Sequence, residues 1–281
     1  MSITVRVPAS TANLGPGFDS LGMALSITAE IGVIDDATDG DELAKGVDVH
    51  HPASVAFRRM GGLGTLWVRS PIPMGRGLGY SGAMRVGGAA AGIAQAVRGD
   101  AGAFAARIGE VLAVATALER HADNAAASLL GGIVVTDGEQ AINVETSLRP
   151  DVVIWIPPST TSTNASRTAL PQSVPFQDAT FNVGRTALLV AALAAGDVAA
   201  LEAATQDRLH QEIRFTQAES SRVALASGIA AGAWCGWLSG SGPTIALLTA
   251  AGDGTRVASA LPADGRTNVV GIEWSGVSLT G

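Results

Sequence analysis

Residues 76–83 read Arg76-Gly77-Leu78-Gly79-Tyr80-Ser81-Gly82-Ala83, with three glycines and two hydroxyls in eight positions. A strand-like run, 64–69, and the prolines Pro71 and Pro73 precede them, and an alanine- and glycine-rich stretch, 81–97, follows. A glycine turn that opens a helix exposes backbone N–H groups whose dipole favours an anion. Glycine also removes the Cβ atoms that would hold a phosphate at a distance. The spacing is neither the Walker pattern nor GxGxxG, and Tyr80 stands where such a loop wants a small residue. Taken alone, the stretch reads either as a phosphate cradle or as a tight turn.

Composition narrows the chemistry around it. The 281 residues are 47% hydrophobic and 15% charged, with a net charge of −7. That is enough apolar material for a large core or two domains, and the balance argues against a nucleic-acid partner, which would demand a basic stripe. Lys45 is the only lysine. A phosphate clamp must therefore use arginines, backbone N–H groups or a metal ion. The single cysteine, Cys235, makes neither an internal disulfide nor a cysteine-rich metal site. It lies in an apolar run and is expected to be buried and inert. Residues 2–10 lack the apolar core of a signal peptide. Residues 223–252 carry no charge, yet Gly-Ser-Gly-Pro at 240–243 breaks them into strand, turn and strand rather than a membrane helix. The expectation is a cytoplasmic protein with no membrane partner.

Along the chain, strands are expected at 3–7, 23–34, 64–69, 131–136, 151–156, 235–238, 244–249 and 267–274. A glycine-rich loop is expected over 9–22 and an acidic turn over 35–44. Helices are expected at 81–97, 101–119, 178–195, 197–209, 217–229 and 254–260. Regular βαβ alternation is missing, so the fold class is α+β. A polar stretch ending in Pro150 marks a boundary, giving domains 1–148 and 149–281.

Four further groups carry chemical meaning. His121-Ala122-Asp123-Asn124 follows Glu119 at the end of an apolar helix. A carboxylate there is poorly placed against the helix dipole, so it either holds Mg²⁺ with phosphate oxygens or simply faces solvent. Leu238-Ser239-Gly240-Ser241-Gly242 is either a hairpin turn or a second loop over a nucleotide. Thr163 and Arg167, four residues apart, share a helix face. Arg208, His210 and Arg214 cluster within seven residues, and arginine suits bidentate grip on a carboxylate.

In this order along the whole chain, the segments resemble the GHMP kinases, and within that family its homoserine-phosphorylating members. The segment from Val5 to Leu25, the loop from Ile72 to Ala83, the run from His121 to Gly132 and the turn from Leu238 to Thr244 carry the likeness. The resemblance implies a two-domain GHMP kinase-like fold with a ferredoxin-like second half and the active site between the halves. It implies ATP and Mg²⁺ as cofactors. Gly77, Leu78, Gly79, Tyr80, Ser81 and Gly82 would line the triphosphate, supported by Ser239, Gly240, Ser241 and Gly242. Ser81 and Glu119 would hold the metal. Asn13, Asp19, His121, Asn124, Thr163, Arg167 and Arg214 would form the acceptor site, with Asp19, Glu119, Ser81 and Arg167 taking part in catalysis. The implied reaction is phosphorylation of a small amino or hydroxy acid, L-homoserine foremost, toward threonine. The alternatives are a sister kinase with another hydroxy substrate, or a weakly active nucleotide- or metabolite-binding relative. A homodimer is left open.

Three departures from the family pattern stand out. Tyr80 and Gly82 replace the first serine and the alanine of GLGSSA, the segment 35–64 is short, and His51-Pro52 falls where an asparagine near adenine is usual. Tyr80 is expected to point out of the pocket.

Overall fold

The computed structural model describes residues 3–34 and 46–280. The acidic turn expected at 35–44, together with Lys45, lies outside the described residues. In chain order the elements are β1 (Thr4–Ala12), β2 (Leu21–Val33), α1 (Pro52–Arg59), β3 (Leu66–Arg69), α2 (Tyr80–Ala96), α3 (Ala101–Arg107), α4 (Glu110–Glu119) and α5 (Asp123–Leu130). Then come β4 (Ile133–Thr136), β5 (Ala141–Asn143), β6 (Asp151–Ile156), α6 (Thr163–Thr168), α7 (Phe176–Ala195), α8 (Val198–Ala204) and α9 (Gln211–Phe215). The chain closes with α10 (Glu219–Ala230), β7 (Cys235–Leu238), β8 (Ile245–Thr249), α11 (Gly254–Ala258), β9 (Arg266–Val270) and β10 (Ser278–Thr280).

Two antiparallel sheets result. The first has the order β10-β1-β2-β4-β5 with β3 also on β2, and the second has the order β7-β8-β6-β9. The second order is that of a split βαβ unit of ferredoxin type. The fold is the two-sheet α+β arrangement expected of the GHMP kinases, with one addition. The last strand, β10, returns to pair with β1, Thr4 opposite Thr280, so the end of the chain completes the first sheet.

Several local departures have plain causes. β1 runs on to Ala12, into what the sequence presents as loop, with its ladder to β2 shifting register between Pro8 and Ala9. Proline has no N–H for the ladder and is tolerated at such a bulge. Ser10 and Thr11 beyond it are fully buried and polar, which hides them from a hydrophobic pattern. The helix expected over 101–119 is two helices, broken at Ile108 and Gly109. α1 is an unforeseen helix with His51 as its N-cap and Pro52 in its first turn, the position where proline costs nothing. The close packing expected of 81–97 is real. A Cβ on Gly88 would lie 2.1 Å from the Ala53 carbonyl oxygen, and one on Gly87 would lie 2.5 Å from Ile31 Cδ1. Glycine thus lets α2 sit directly against α1 and the first sheet. Cys235 is buried, and burial pushes its thiol up to about 12, as suits an inert side chain.

Candidate active site

The glycine stretch connects Pro73 to the first turn of α2. Gly79 is the N-cap of α2 in the left-handed region, φ 66°, with no side-chain cap. The first backbone donor to close onto the helix is Ala83 N–H, to the Gly79 carbonyl at 2.8 Å. A helix leaves its earlier N–H groups without intrahelical partners, here those of Tyr80, Ser81 and Gly82. Gly77 and Gly79 are required by space as well as by conformation. A Cβ on Gly77 would stand 2.2 Å from the Ser239 carbonyl oxygen, and one on Gly79 would stand 2.0 Å from Ser10 Oγ. The second glycine turn braces the first from behind. Trp237 Nε1–H donates to Thr11 Oγ1 at 2.8 Å, the Thr11 and Ser239 hydroxyls lie 2.8 Å apart, and Ser239 donates to the Gly77 carbonyl at 2.6 Å. Ser239 and Gly242 support the loop, while Gly240 and Ser241 reach the cleft.

Beside the start of α2 lies a cluster of charge. Ser81 Oγ donates to Glu119 Oε1 at 2.5 Å, and Arg85 also donates to that oxygen. His121 Nε2 is 3.5 Å from Glu119 Oε2, and its Nδ1 is 3.0 Å from Asp123 Oδ1. Burial opposes charge on His121. The hydrogen bond to Asp123 and the charges of Asp123 and Glu119 outweigh it, and the pKa lies above the ordinary histidine value. Asp123 also accepts from the Asn124 N–H at 2.7 Å, while Ser10 Oγ donates to Asn124 Oδ1 at 2.9 Å.

The opposite wall is a strained loop and a pair of arginines. Asn13, Leu14 and Asp19 all have positive φ, at 70°, 45° and 57°, conformations that cost energy and gather at functional sites. Asn13 holds the loop in place: Oδ1 accepts from the Asp19 N–H at 3.1 Å and Nδ2 donates to the Gly240 carbonyl at 2.9 Å. Both Asp19 oxygens receive the Arg167 guanidinium, one at 2.9 Å. Arg214 is nearly buried, donates through NH1 to the Gly240 carbonyl at 2.9 Å and leaves its buried Nε without a partner. Burial, with Arg167 close by, pulls its guanidinium down to about 10. His210 stands behind it. His210 Nδ1 is 3.1 Å from Arg214 NH1 and its Nε2 is 2.8 Å from the Gly15 carbonyl. Arginine is always a donor, so Nδ1 accepts and the proton of neutral His210 sits on Nε2.

Tyr80 turns toward α1. Its hydroxyl is 3.0 Å from His51 Nε2, and the two rings meet edge to face with centroids 6.2 Å apart. His51 Nδ1 accepts the Ala53 N–H at 3.2 Å, so Nε2 carries the proton and donates to the tyrosine. The ring leans on α1 and the first core, and Tyr80 also lines the cleft.

These groups share one cleft. Asn13, Asp19, Gly77 to Gly82, Glu119, His121, Asn124, Arg167, Arg214, Gly240 and Ser241 all line it. The Thr163 side chain lies outside the described residues. Arg208 is spent elsewhere, on Asp178 at 3.3 Å and over the Phe181 ring. Sequence reasoning does not single out Arg76 or Arg85 as site residues. Arg85 carries a signal, since it lies four residues after Ser81 and so on the same helix face.

One wall thus presents N–H groups without intrahelical partners, and the other presents a carboxylate and two guanidinium groups. The family model described as GHMP kinases C terminal matches residues 189–267. A homoserine kinase of Thermus thermophilus is 38% identical over 285 residues, covering 95% of this chain and 94% of that protein. The homoserine kinase of Caldanaerobacter subterraneus subsp. tengcongensis is 36% identical, covering 91% and 86%. A crystal structure of homoserine kinase from Cytophaga hutchinsonii superposes with a TM-score of 0.82 at 24% identity, over 99% of this chain and 97% of that one. With relatives this similar over nearly its whole length, the chain belongs to the homoserine kinase family of GHMP small-molecule kinases.

Proposed function

We propose that this chain transfers the γ-phosphoryl group of ATP to the side-chain hydroxyl of L-homoserine, giving O-phospho-L-homoserine and ADP in the cytoplasm, on the way to threonine. The observation that carries this reading is that the open first turn of α2 and the Asp19–Arg167–Arg214 group face one cleft. The names of the relatives support the same substrate.

Phosphoryl transfer depends on alignment and charge more than on covalent help from the protein. The N–H groups of Tyr80, Ser81 and Gly82, without intrahelical partners, would receive the phosphates. Ser81 Oγ and the Glu119 carboxylate, 2.5 Å apart and both on the cleft wall, are the hard oxygen donors that Mg²⁺ prefers. Among the described residues no cluster of three His, Cys, Asp or Glu side chains forms a metal cage, and Mg²⁺ needs none, since it keeps waters and takes phosphate oxygens. Held by that pair, Mg²⁺ would offset the charge that develops on the transferring group.

The acceptor wall matches a zwitterion. Asp19 and Arg167 neutralise each other, and an amino acid can satisfy both, its ammonium on Asp19 and its carboxylate on Arg167 and Arg214. Arg214 Nε has no protein partner, which leaves a donor for that carboxylate. With the ammonium in place of Arg167 on its oxygens, Asp19 would orient the substrate, and the hydroxyl proton would pass to a γ-phosphate oxygen.

A screen of ADP release with homoserine, threonine and mevalonate tests the reading. Homoserine should give the highest kcat/KM. Faster turnover of mevalonate would assign the chain to a sister activity, and ATP–Mg²⁺ binding without any turnover would make it a binding relative.

A further inference from the structure

Glu119 ends α4, where the helix dipole is negative and a carboxylate is disfavoured by about 0.3–1 kcal/mol. Its side chain is 8% exposed, and Asp123 stands on the far side of His121. Two carboxylates in so enclosed a corner need fixed positive charge. Arg85, on the second turn of α2, supplies it: its NH1 donates to Glu119 Oε1, the oxygen that Ser81 also bonds. Ser81 and Glu119 line the cleft, and Arg85 does not. The guanidinium therefore grips the carboxylate from behind and leaves its cleft side open. Ser81, Arg85 and Glu119 form a unit in which one helix face carries both the hydroxyl and the cation that orient one oxygen.

We propose that Arg85 is a positioning residue for the metal–nucleotide site: it fixes the Glu119 carboxylate against Ser81 so that the pair meets the metal–triphosphate already aligned. This rests on the ATP and Mg²⁺ reading above. It differs from a plain structural ion pair in what it moves. A structural pair would change thermal stability alone, whereas a positioning pair changes affinity for metal-bound nucleotide and spares the acceptor amino acid, whose charged groups are met by Asp19, Arg167 and Arg214.

The test is Mn²⁺ binding in the presence of ADP, read as loss of the free Mn²⁺ signal by electron paramagnetic resonance, where no turnover occurs. Arg85→Met and Arg85→Gln should each weaken Mn²⁺–ADP binding by about 10-fold or more, the usual cost of losing a group that orients a metal ligand. Arg85→Lys should recover part of it, because a point charge replaces the fork. In steady state the KM for ATP should rise and the KM for homoserine should stay within about twofold. In a Glu119→Gln background, Arg85→Met should add little, since contacting residues acting as a unit are non-additive. If Arg85→Met and Arg85→Gln bind Mn²⁺–ADP as tightly as the parent while Glu119→Gln does not, the positioning role is overturned and the metal site stands. If Glu119→Gln itself binds normally, the metal reading fails and this inference with it.

Discussion

The two walls of the cleft are made of different material. The phosphate wall is backbone: glycines in left-handed conformation, a helix start without a cap, and a second turn that props the first through hydroxyls and carbonyls. The acceptor wall is side chain: Asp19 on a strained loop, Arg167 from α6, Arg214 from α9 and His210 behind it. Backbone sites recognise a charge pattern that every nucleoside triphosphate shares. Side-chain sites recognise one small molecule. Damage to the first wall should therefore appear in nucleotide binding and the chemical step, and damage to the second in the affinity for one substrate.

The largest expected effect falls where the phosphate wall hands over to side chains. Glu119→Gln should leave the fold intact and lower kcat by on the order of 10²-fold or more. Near-normal turnover at saturating Mg²⁺ would take Glu119 out of the metal site and make that wall purely backbone. On the other wall, Arg214→Leu should weaken homoserine binding by roughly 2–5 kcal/mol, the range for truncating one side of a desolvated charge pair. The KM for ATP should barely move. If both constants rise together, the walls are not separable and Arg214 serves the packing of Gly240 instead.

How much of this is legible in the sequence follows the same division. The glycines at 77 and 79 announce themselves, because the conformation and the contact distance they meet exclude every other residue. The acceptor wall depends on residues far apart in the chain. Arg167 and Asp19 are 148 residues apart and Asn13 and Gly240 are 227 apart, and no local pattern joins them. Resemblance brings them together where periodicity does not. Arg85 escapes for a related reason: a charged residue inside an alanine-rich helix has an ordinary explanation until its partner is known. α1 escapes because its N-cap, His51, is not among the residues that usually cap a helix start. β10 escapes because three residues are too few to show alternation, and its pairing with β1 is fixed only by the tertiary fold.

Tyr80 gives a smaller and more local test. Its ring packs toward α1, so Tyr80→Ser should lower stability by about 1–3 kcal/mol, the common range for a lost packing contact, while ATP affinity changes by less than about twofold. Tighter ATP binding in this variant would mean the ring competes with the nucleotide, and the phosphate wall would no longer be backbone alone.

The smallest effect is a pH dependence at His51. Burial lowers its pKa below the ordinary histidine value, against the raising effect of Asp48. The unfolded chain then binds the proton more readily than the folded one between the folded pKa and about 6.5, so stability falls as the pH drops through that window. Protonation also places a hydrogen on Nδ1, where the ring accepts the Ala53 N–H. Relative to His51→Gln, the parent should lose melting temperature between pH 7 and pH 5. A parallel shift of both proteins would remove His51 from the account.

The central claim is that one wall takes any triphosphate end and the other reads a zwitterionic amino acid. Comparing kcat/KM for homoserine with that for 3-amino-1-propanol, the same molecule without its carboxylate, tests it most directly, in the parent and in Arg214→Leu. The parent should favour homoserine by at least about 10²-fold, because removing the carboxylate leaves the buried Arg214 guanidinium unanswered, and Arg214→Leu should shrink that preference by about tenfold or more. Equal use of the two alcohols by the parent, or a preference untouched in Arg214→Leu, would contradict it.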